Sequence, residues 1–151
     1  MFGGVAGAVL ANLMFALPAV QVSGHVRSGA GLWIGEVVAT AALIAVIVAL
    51  ARTGRAALSA GAVATWIGAA YWFTSSTSFA NPAVTVARMF SDTFTGTSPA
   101  SVLPFIVFQI VGAALGAVLV VALYPDAPQT AAAVVVPHDT PPSPAAEGTT
   151  R

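Results

Sequence analysis

The stretch Ser78–Arg88, SFANPAVTVAR, decides how the rest of the chain is read. Asn81 before Pro82 is a good helix start, because the Asn side chain accepts a bond from the first free N–H groups. Proline at the first helical position gives up an N–H that has no intrahelical partner anyway. A short helix over 82–90 or 82–93 follows, and at about 1.5 Å per residue it covers only about half a bilayer. The run that leads into it, Thr74-Ser75-Ser76-Thr77-Ser78, is polar. The whole region 74–101 is too polar to be a crossing and too long and apolar to be a tight turn. Two readings stand. One is a re-entrant half-helix whose free N–H groups are buried in protein or line a water-filled cavity. The other is a helix lying along the membrane surface.

The chain around this stretch is membrane material. Of its 151 residues, 58% are hydrophobic and 7% charged, with a mean hydropathy of +0.90; a soluble domain devotes about a quarter of its residues to charge. Lysine is absent, and the cations are Arg27, Arg52, Arg55, Arg88 and Arg151. The acids are Glu36, Asp92, Asp126, Asp139 and Glu147, so the formal net charge is zero. That balance argues against nucleic acid, which requires a basic patch. Without cysteine there is no disulfide frame and no thiolate metal site. Both histidines lie outside the apolar spans, so no metal centre and no cofactor is expected. No acid, base and nucleophile share a cleft, so no catalytic residues and no enzyme are expected.

About 20 apolar residues are needed to cross roughly 30 Å of hydrocarbon. Four spans qualify: 2–22, with Pro18 near its end; 32–51, uncharged apart from Glu36; 56–73; and 102–123. Breakers separate them at Ser28-Gly29, at Thr53-Gly54, at Gly96-Thr97-Ser98-Pro99 and at Pro125. The first span lacks a basic leader and a cleavage site, so it reads as a crossing, with a signal anchor as the alternative. Arg52 and Arg55 in the second loop outweigh Arg27 in the first, which places the second loop in the cytoplasm. An even number of crossings then puts both termini there, in a multi-pass protein of the cell membrane. Residues 1–125 form the membrane domain. Residues 126–151, rich in proline, are expected to be a disordered cytoplasmic tail, since they cannot bury enough apolar surface to offset their ordering entropy.

Several stretches together resemble the aquaporin and aquaglyceroporin family (major intrinsic proteins). NPAVTVAR, after an apolar helix and a Ser/Thr-rich run, resembles the family's Asn-Pro-Ala box. GLWIGEVVAT (31–40) resembles the helix that carries a buried Glu with a Thr four residues later. FQIVGAALGAVL (108–119) is similar to the closing helix with its Gln and small residues, and GGVAGAVLANLMF (3–15) to the end of the third helix. A complete member has six crossings and two half-helices in an inverted repeat, with one box in each half. The wording NPAVT also fits a first box, but the lead-in SSTSFA favours the second. The resemblance therefore implies an all-α membrane protein with about four transmembrane helices and one re-entrant half-helix, like the second half of the fold. On that reading the first box is absent, and a pore needs an N-terminal half or another subunit. The alternatives are a non-conducting fragment and a small helical membrane protein acting through partner subunits. The partners implied are the lipid bilayer, small neutral solutes and, by resemblance, three further copies in a tetramer.

The resemblance also implies roles. In the family two half-helices meet by their N-termini, which carry partial positive potential. The box Asn residues offer N–H donors to a passing solute and so oppose proton hopping and cation entry. Asn81 would supply one donor, Pro82 set the helix entry and Ala83 permit close approach of a partner box; Asn81 as a plain helix cap is compatible with that. The family's ring arginine, three residues after the Asn, is Val84 here, and the other ring members present are Ala69 and Ser78. Such a ring is wider and uncharged, suited to polyols or to undissociated metalloid hydroxides such as arsenite. Arg88, seven residues after Asn81 on nearly the same helix face, reaches an outer vestibule, pairs with Asp92 four residues on, or snorkels to the interface. Glu36 is implied to accept N–H groups of the re-entrant loop as a brace, with Gln109 assisting. Gly3 with Gly7 and Gly112 with Gly116 are small-xxx-small pairs that allow close helix packing, and Gly61 and Gly68 offer further small faces. Trp33, Trp66 and Trp72 read as interfacial anchors or packing.

Overall fold

Prolines and small polar residues set where each helix begins and ends in the computed structural model, which describes residues 1–124. The tail expected at 126–151 lies outside the described residues. The order is α1 (Phe2–Met14), α2 (Ala30–Arg52), a 3-10 turn (Ala56–Leu58) continuing into α3 (Ser59–Phe73), α4 (Pro82–Ala87) with a 3-10 turn (Arg88–Phe90), and α5 (Pro99–Leu123). No strand occurs among the described residues. Three helical segments, 30–52, 56–73 and 99–123, are long and apolar enough to cross a membrane. This is an all-α, multi-pass membrane protein.

Two bounds differ from expectation for tertiary reasons. The first helix stops at Met14 instead of running to residue 22. Ala16 turns left-handed (φ 55) and Pro18 has no N–H with which to continue the helix. Asn12 then holds the exit: its Nδ2 donates to the carbonyls of Ala19 (3.1 Å) and Phe90 (2.9 Å). The chain beyond runs extended along the half-helix, where Gln21 N–H bonds Phe90 O (3.3 Å) and Ser23 N–H bonds Met89 O (2.8 Å). The same bonds close the half-helix at Phe90, the earlier of the two ends that the sequence allows. Its last carbonyls go to this strap, and Ser91 turns extended (φ −142) with its hydroxyl on Asn12 Oδ1 at 2.7 Å. The last helix begins three residues before the expected 102, because Pro99 occupies its first turn rather than breaking it.

The interior is polar and the outside apolar, the reverse of a water-soluble domain. Glu36, Gln109, Thr85, Ser76 and Thr97 are buried, whereas Ile34, Leu103, Ile110, Val118 and Leu123 are exposed. In lipid that exposed apolar surface carries no penalty, and the polar groups must find partners inside. α2 and α5 form the central pair. A Cβ built at Gly112 would lie 2.6 Å from the Val37 carbonyl oxygen, and one at Gly116 would overlap the Ala41 carbonyl. Gly116→Leu is therefore expected to force the pair apart and cost about 1–3 kcal/mol, read as a lower midpoint in detergent-induced unfolding; an unchanged midpoint would contradict the close contact. Gly3, Gly7, Gly61 and Gly68 have no neighbour within 4 Å, so the close approach of α1 falls instead at Gly4, opposite Ala83 and Ala87.

The bundle has two distinct ends. At one, the strap over 17–28 meets the region after the half-helix, where Ser98 N–H bonds His25 O (2.8 Å). At the other, Arg52 donates to the Tyr124 carbonyl and ties the exit of α2 to the end of α5.

Candidate functional site

Between α3 and α4 the backbone takes an unusual path. Thr77 (φ 63), Ser78 (φ 49) and Ala80 (φ 49) are all left-handed, each costing about 1–2 kcal/mol for a residue with a Cβ. The path turns two successive N–H groups inward. Phe79 N–H reaches Glu36 Oε1 and Ala80 N–H reaches Glu36 Oε2, both at 2.9 Å. Successive N–H groups arranged in this way form a concavity for an anion, and a buried side-chain carboxylate from α2 fills it. Ser75 Oγ also donates to the Gly31 carbonyl (2.7 Å), so the loop is pinned to α2 at two levels.

Gln109 on α5 extends the network. Its Nε2 donates to Glu36 Oε2 (2.6 Å) and to Thr85 Oγ1 (2.8 Å). Thr85 passes its own hydroxyl hydrogen to the Asn81 carbonyl at 3.0 Å. The carboxylate, the amide and the hydroxyl thus bind α2, α5, the loop and α4 into one unit.

Asn81 is the cap of α4, its Oδ1 accepting Ala83 N–H at 2.8 Å. Because the cap uses the oxygen, both Nδ2 hydrogens are unengaged among the described residues, and the side chain is exposed. Pro82 opens the helix, and Ala83 faces Gly4 of α1.

Val84 lies along a groove of 260 Å³ between α4 and α1, with Ala87, Arg88 and Ser91 on one wall and glycines and alanines of α1 on the other. A second groove of 360 Å³ continues from it, bounded by Tyr71, Arg88, Phe94 and Thr95. Neither Ala69 nor Ser78 lines either groove. Ala69 is exposed on α3, and Ser78 is buried in the loop with its Oγ unpartnered.

Two guanidinium groups stand over the ring of Phe79, Arg27 at 5.3 Å and Arg88 at 6.0 Å from its centroid. Arg27 donates to three carbonyls: Gly96 (2.8 Å), Ser76 (3.2 Å) and Phe94 (2.6 Å). Burial lowers the Arg27 pKa from its ordinary value, and the positive charge of Arg88 lowers it further. Arg88 donates to Thr95 Oγ1 and does not pair with Asp92. The pairing expected at i+4 fails because the helix has ended by Ser91. Asp92 instead accepts Gly24 N–H (3.1 Å) and faces His25 Nε2 at 3.7 Å.

Three residues that hold this site carried no functional reading in the sequence. Thr85 sits four residues after Asn81, where a helix brings its hydroxyl to the Asn81 carbonyl. Asn12 and Arg27 signal only as polar residues beside apolar runs, and their partners are far along the chain.

A multi-pass helical membrane protein with a polar core, built on a re-entrant loop and a half-helix opening with Asn-Pro-Ala, is the class that fold and site define. Aquaglyceroporin AqpS of Rhizobium meliloti (strain 1021) is 47% identical over 111 residues, which are 74% of this chain and 47% of that protein. The chain thus spans about half the length of the curated relative it matches. No protein-family model and no solved structure matches it. On that relationship, the chain belongs to the aquaporin (major intrinsic protein) family.

Proposed function

We propose that this chain lines an aquaporin-type channel for the passive movement of small neutral solutes across the cell membrane, with the end of α5 on the cytoplasmic side. The observation that carries the reading is the face formed by Asn81 and Val84 beside an open groove. Asn81 presents amide donors with its oxygen already engaged, which suits a hydroxyl or water oxygen. Val84 and the small residues of α1 add neither charge nor bulk to the passage. Ala69 and Ser78, the other ring positions that the resemblance implies, do not line this groove, so the neutral Val84 level carries the reading of a passage that favours polyols and undissociated metalloid hydroxides over water alone. Asn81 and Ala69 are exposed in the single chain, and a polar group at membrane depth needs protein or a water-filled cavity around it. We infer that further polypeptide or another subunit closes this face, within a tetrameric assembly.

The test is glycerol-driven swelling of vesicles reconstituted with the full chain. Glycerol entry at least about tenfold faster than in protein-free vesicles, a barrier lowered by about 1.4 kcal/mol, is expected of a conducting assembly. Entry equal to that of bare lipid overturns conduction by this chain on its own.

A further inference from the structure

The stripe of α1 that faces the half-helix is made of small residues. Gly4, Gly7, Ala8 and Ala11 form one wall of the 260 Å³ groove, opposite Val84 and Ala87 of α4. Glycine and alanine let the two backbones approach, and a Cβ built at Gly4 lies 3.1 Å from the Ala87 Cβ. So smooth a wall fixes the spacing poorly, since one helix can slide or tilt across the other with little change in contact. Asn12, one position beyond Ala11, closes the stripe with a side chain that hydrogen-bonds.

Asn12 is 1% exposed, and every polar group of its side chain is engaged. Its Nδ2 donates to the carbonyl of Phe90 at the end of the half-helix (2.9 Å) and to that of Ala19 in the strap (3.1 Å). Its Oδ1 accepts the Ser91 hydroxyl at 2.7 Å. Among the described residues, no other residue of α1 bonds to the half-helix or to Ser91. The opposite end is held from α2 and α5, by Glu36 on the loop N–H groups and Gln109 on Thr85. A helix of 6 residues does not hold a position by itself, so these two anchors set where α4 lies. Asn12 also borders the outer groove of 360 Å³, but with both N–H hydrogens and its oxygen in use it has nothing to offer a solute.

We propose that Asn12 is a positioning residue that sets the width of the passage at Val84, and with it the size of solute admitted. It acts at a distance, by locking the register of α1 against the half-helix at the far end of a groove whose walls share no bond of their own. A fully satisfied buried polar junction specifies one arrangement where small apolar contacts admit several. This rests on the proposed reading that the Asn81–Val84 face is the solute path.

The chain contains no cysteine, so Gly4→Cys with Ala87→Cys in the full-length protein reports the spacing of α1 and α4. The measurement is the rate at which a mild oxidant closes a disulfide, whose Cβ atoms stand about 3.8 Å apart. The pair is expected to close readily in the parent background and about tenfold more slowly with Asn12→Leu, which has similar size and none of the bonds. Asn12→Asp, which keeps the acceptor for Ser91 and loses both donors, is expected to fall between them. Closure as fast as in the parent overturns the tie, and if Asn12→Leu does not fold, Asn12→Asp decides by the same criterion. Swelling with glycerol and with the longer polyol sorbitol is measured on the same vesicles, reduced and oxidised. The reduced Asn12→Leu protein is expected to lose most of the parent's preference for glycerol, and to regain the preference of the oxidised parent once its disulfide is closed. A preference unchanged in the reduced variant, or not restored by the disulfide, overturns the role in size selection. Flux equal to that of bare lipid in every preparation, with closure slowed as expected, overturns the channel reading while supporting the tie.

Discussion

Glu36→Gln is expected to release the re-entrant loop while leaving the α2–α5 pair intact. The carboxylate accepts a backbone N–H on each oxygen and a third bond from Gln109. A glutamine has one oxygen, so its amide nitrogen must face an N–H donor of the loop or of Gln109. A buried donor left without an acceptor costs about 1–3 kcal/mol, and the surviving bonds lose the charge that made each worth about 1.5–3 kcal/mol. Nothing else in the described residues compensates the left-handed conformations of Thr77, Ser78 and Ala80 in the same way. A loss of about 3 kcal/mol speeds local opening by about a hundredfold, which amide hydrogen exchange at Phe79 and Ala80 would read directly. The α2–α5 contact at Gly112 and Gly116 does not involve Glu36, so helix content by circular dichroism is expected to hold. Exchange at both amides that matches the parent would show that another interaction holds the loop.

If the proposed solute path is right, Val84→Arg is expected to narrow it. Val84 borders the groove opposite small residues of α1, and that wall offers space rather than partners to a longer side chain. An arginine there fills part of the 260 Å³ and brings a second guanidinium close to Arg88, four residues along the same face. Glycerol entry into reconstituted vesicles is expected to fall by about tenfold or more, equal to about 1.4 kcal/mol of added barrier, with water permeability changed by less than about threefold. Glycerol and water falling together would mean a blocked or misfolded groove, and glycerol unchanged would remove Val84 from the path. Val84→Leu, which adds bulk without charge, separates steric narrowing from the electrostatic effect.

The parts of the molecule legible before folding were those that a bilayer dictates. The segments found at 30–52, 56–73 and 99–123 were legible as spans over 32–51, 56–73 and 102–123 by apolar length, because the hydrocarbon thickness imposes it on any helix that crosses. The same criterion also offered 2–22, where the helix ends at Met14. The beginning of the half-helix was legible from Asn81-Pro82, since capping and the proline ring are local chemistry. Its end was not. Phe90 closes it because Asn12 and the strap over 19–23 take the last carbonyls, and those partners lie about seventy residues earlier. With the half-helix ended there, Arg88 turns to Thr95 rather than Asp92, while α1 stops at Met14 rather than 22 because Ala16 turns left-handed and Pro18 has no N–H.

By itself, then, the sequence determined the solvent, three of the four spans it offered and the element that interrupts them, along with the oddity of one acid within an apolar span and one Asn-Pro pair. The family resemblance pointed to Glu36 as a brace with Gln109 assisting, but only the tertiary structure decided that Thr85 joins them beneath Asn81, and that Arg27 becomes a clamp while Arg88 keeps free donors at the groove. The division has a physical cause. Apolar length and helix capping are settled within a few residues of the chain. A buried polar group in lipid must find its partner wherever the fold brings one, and no local pattern names it.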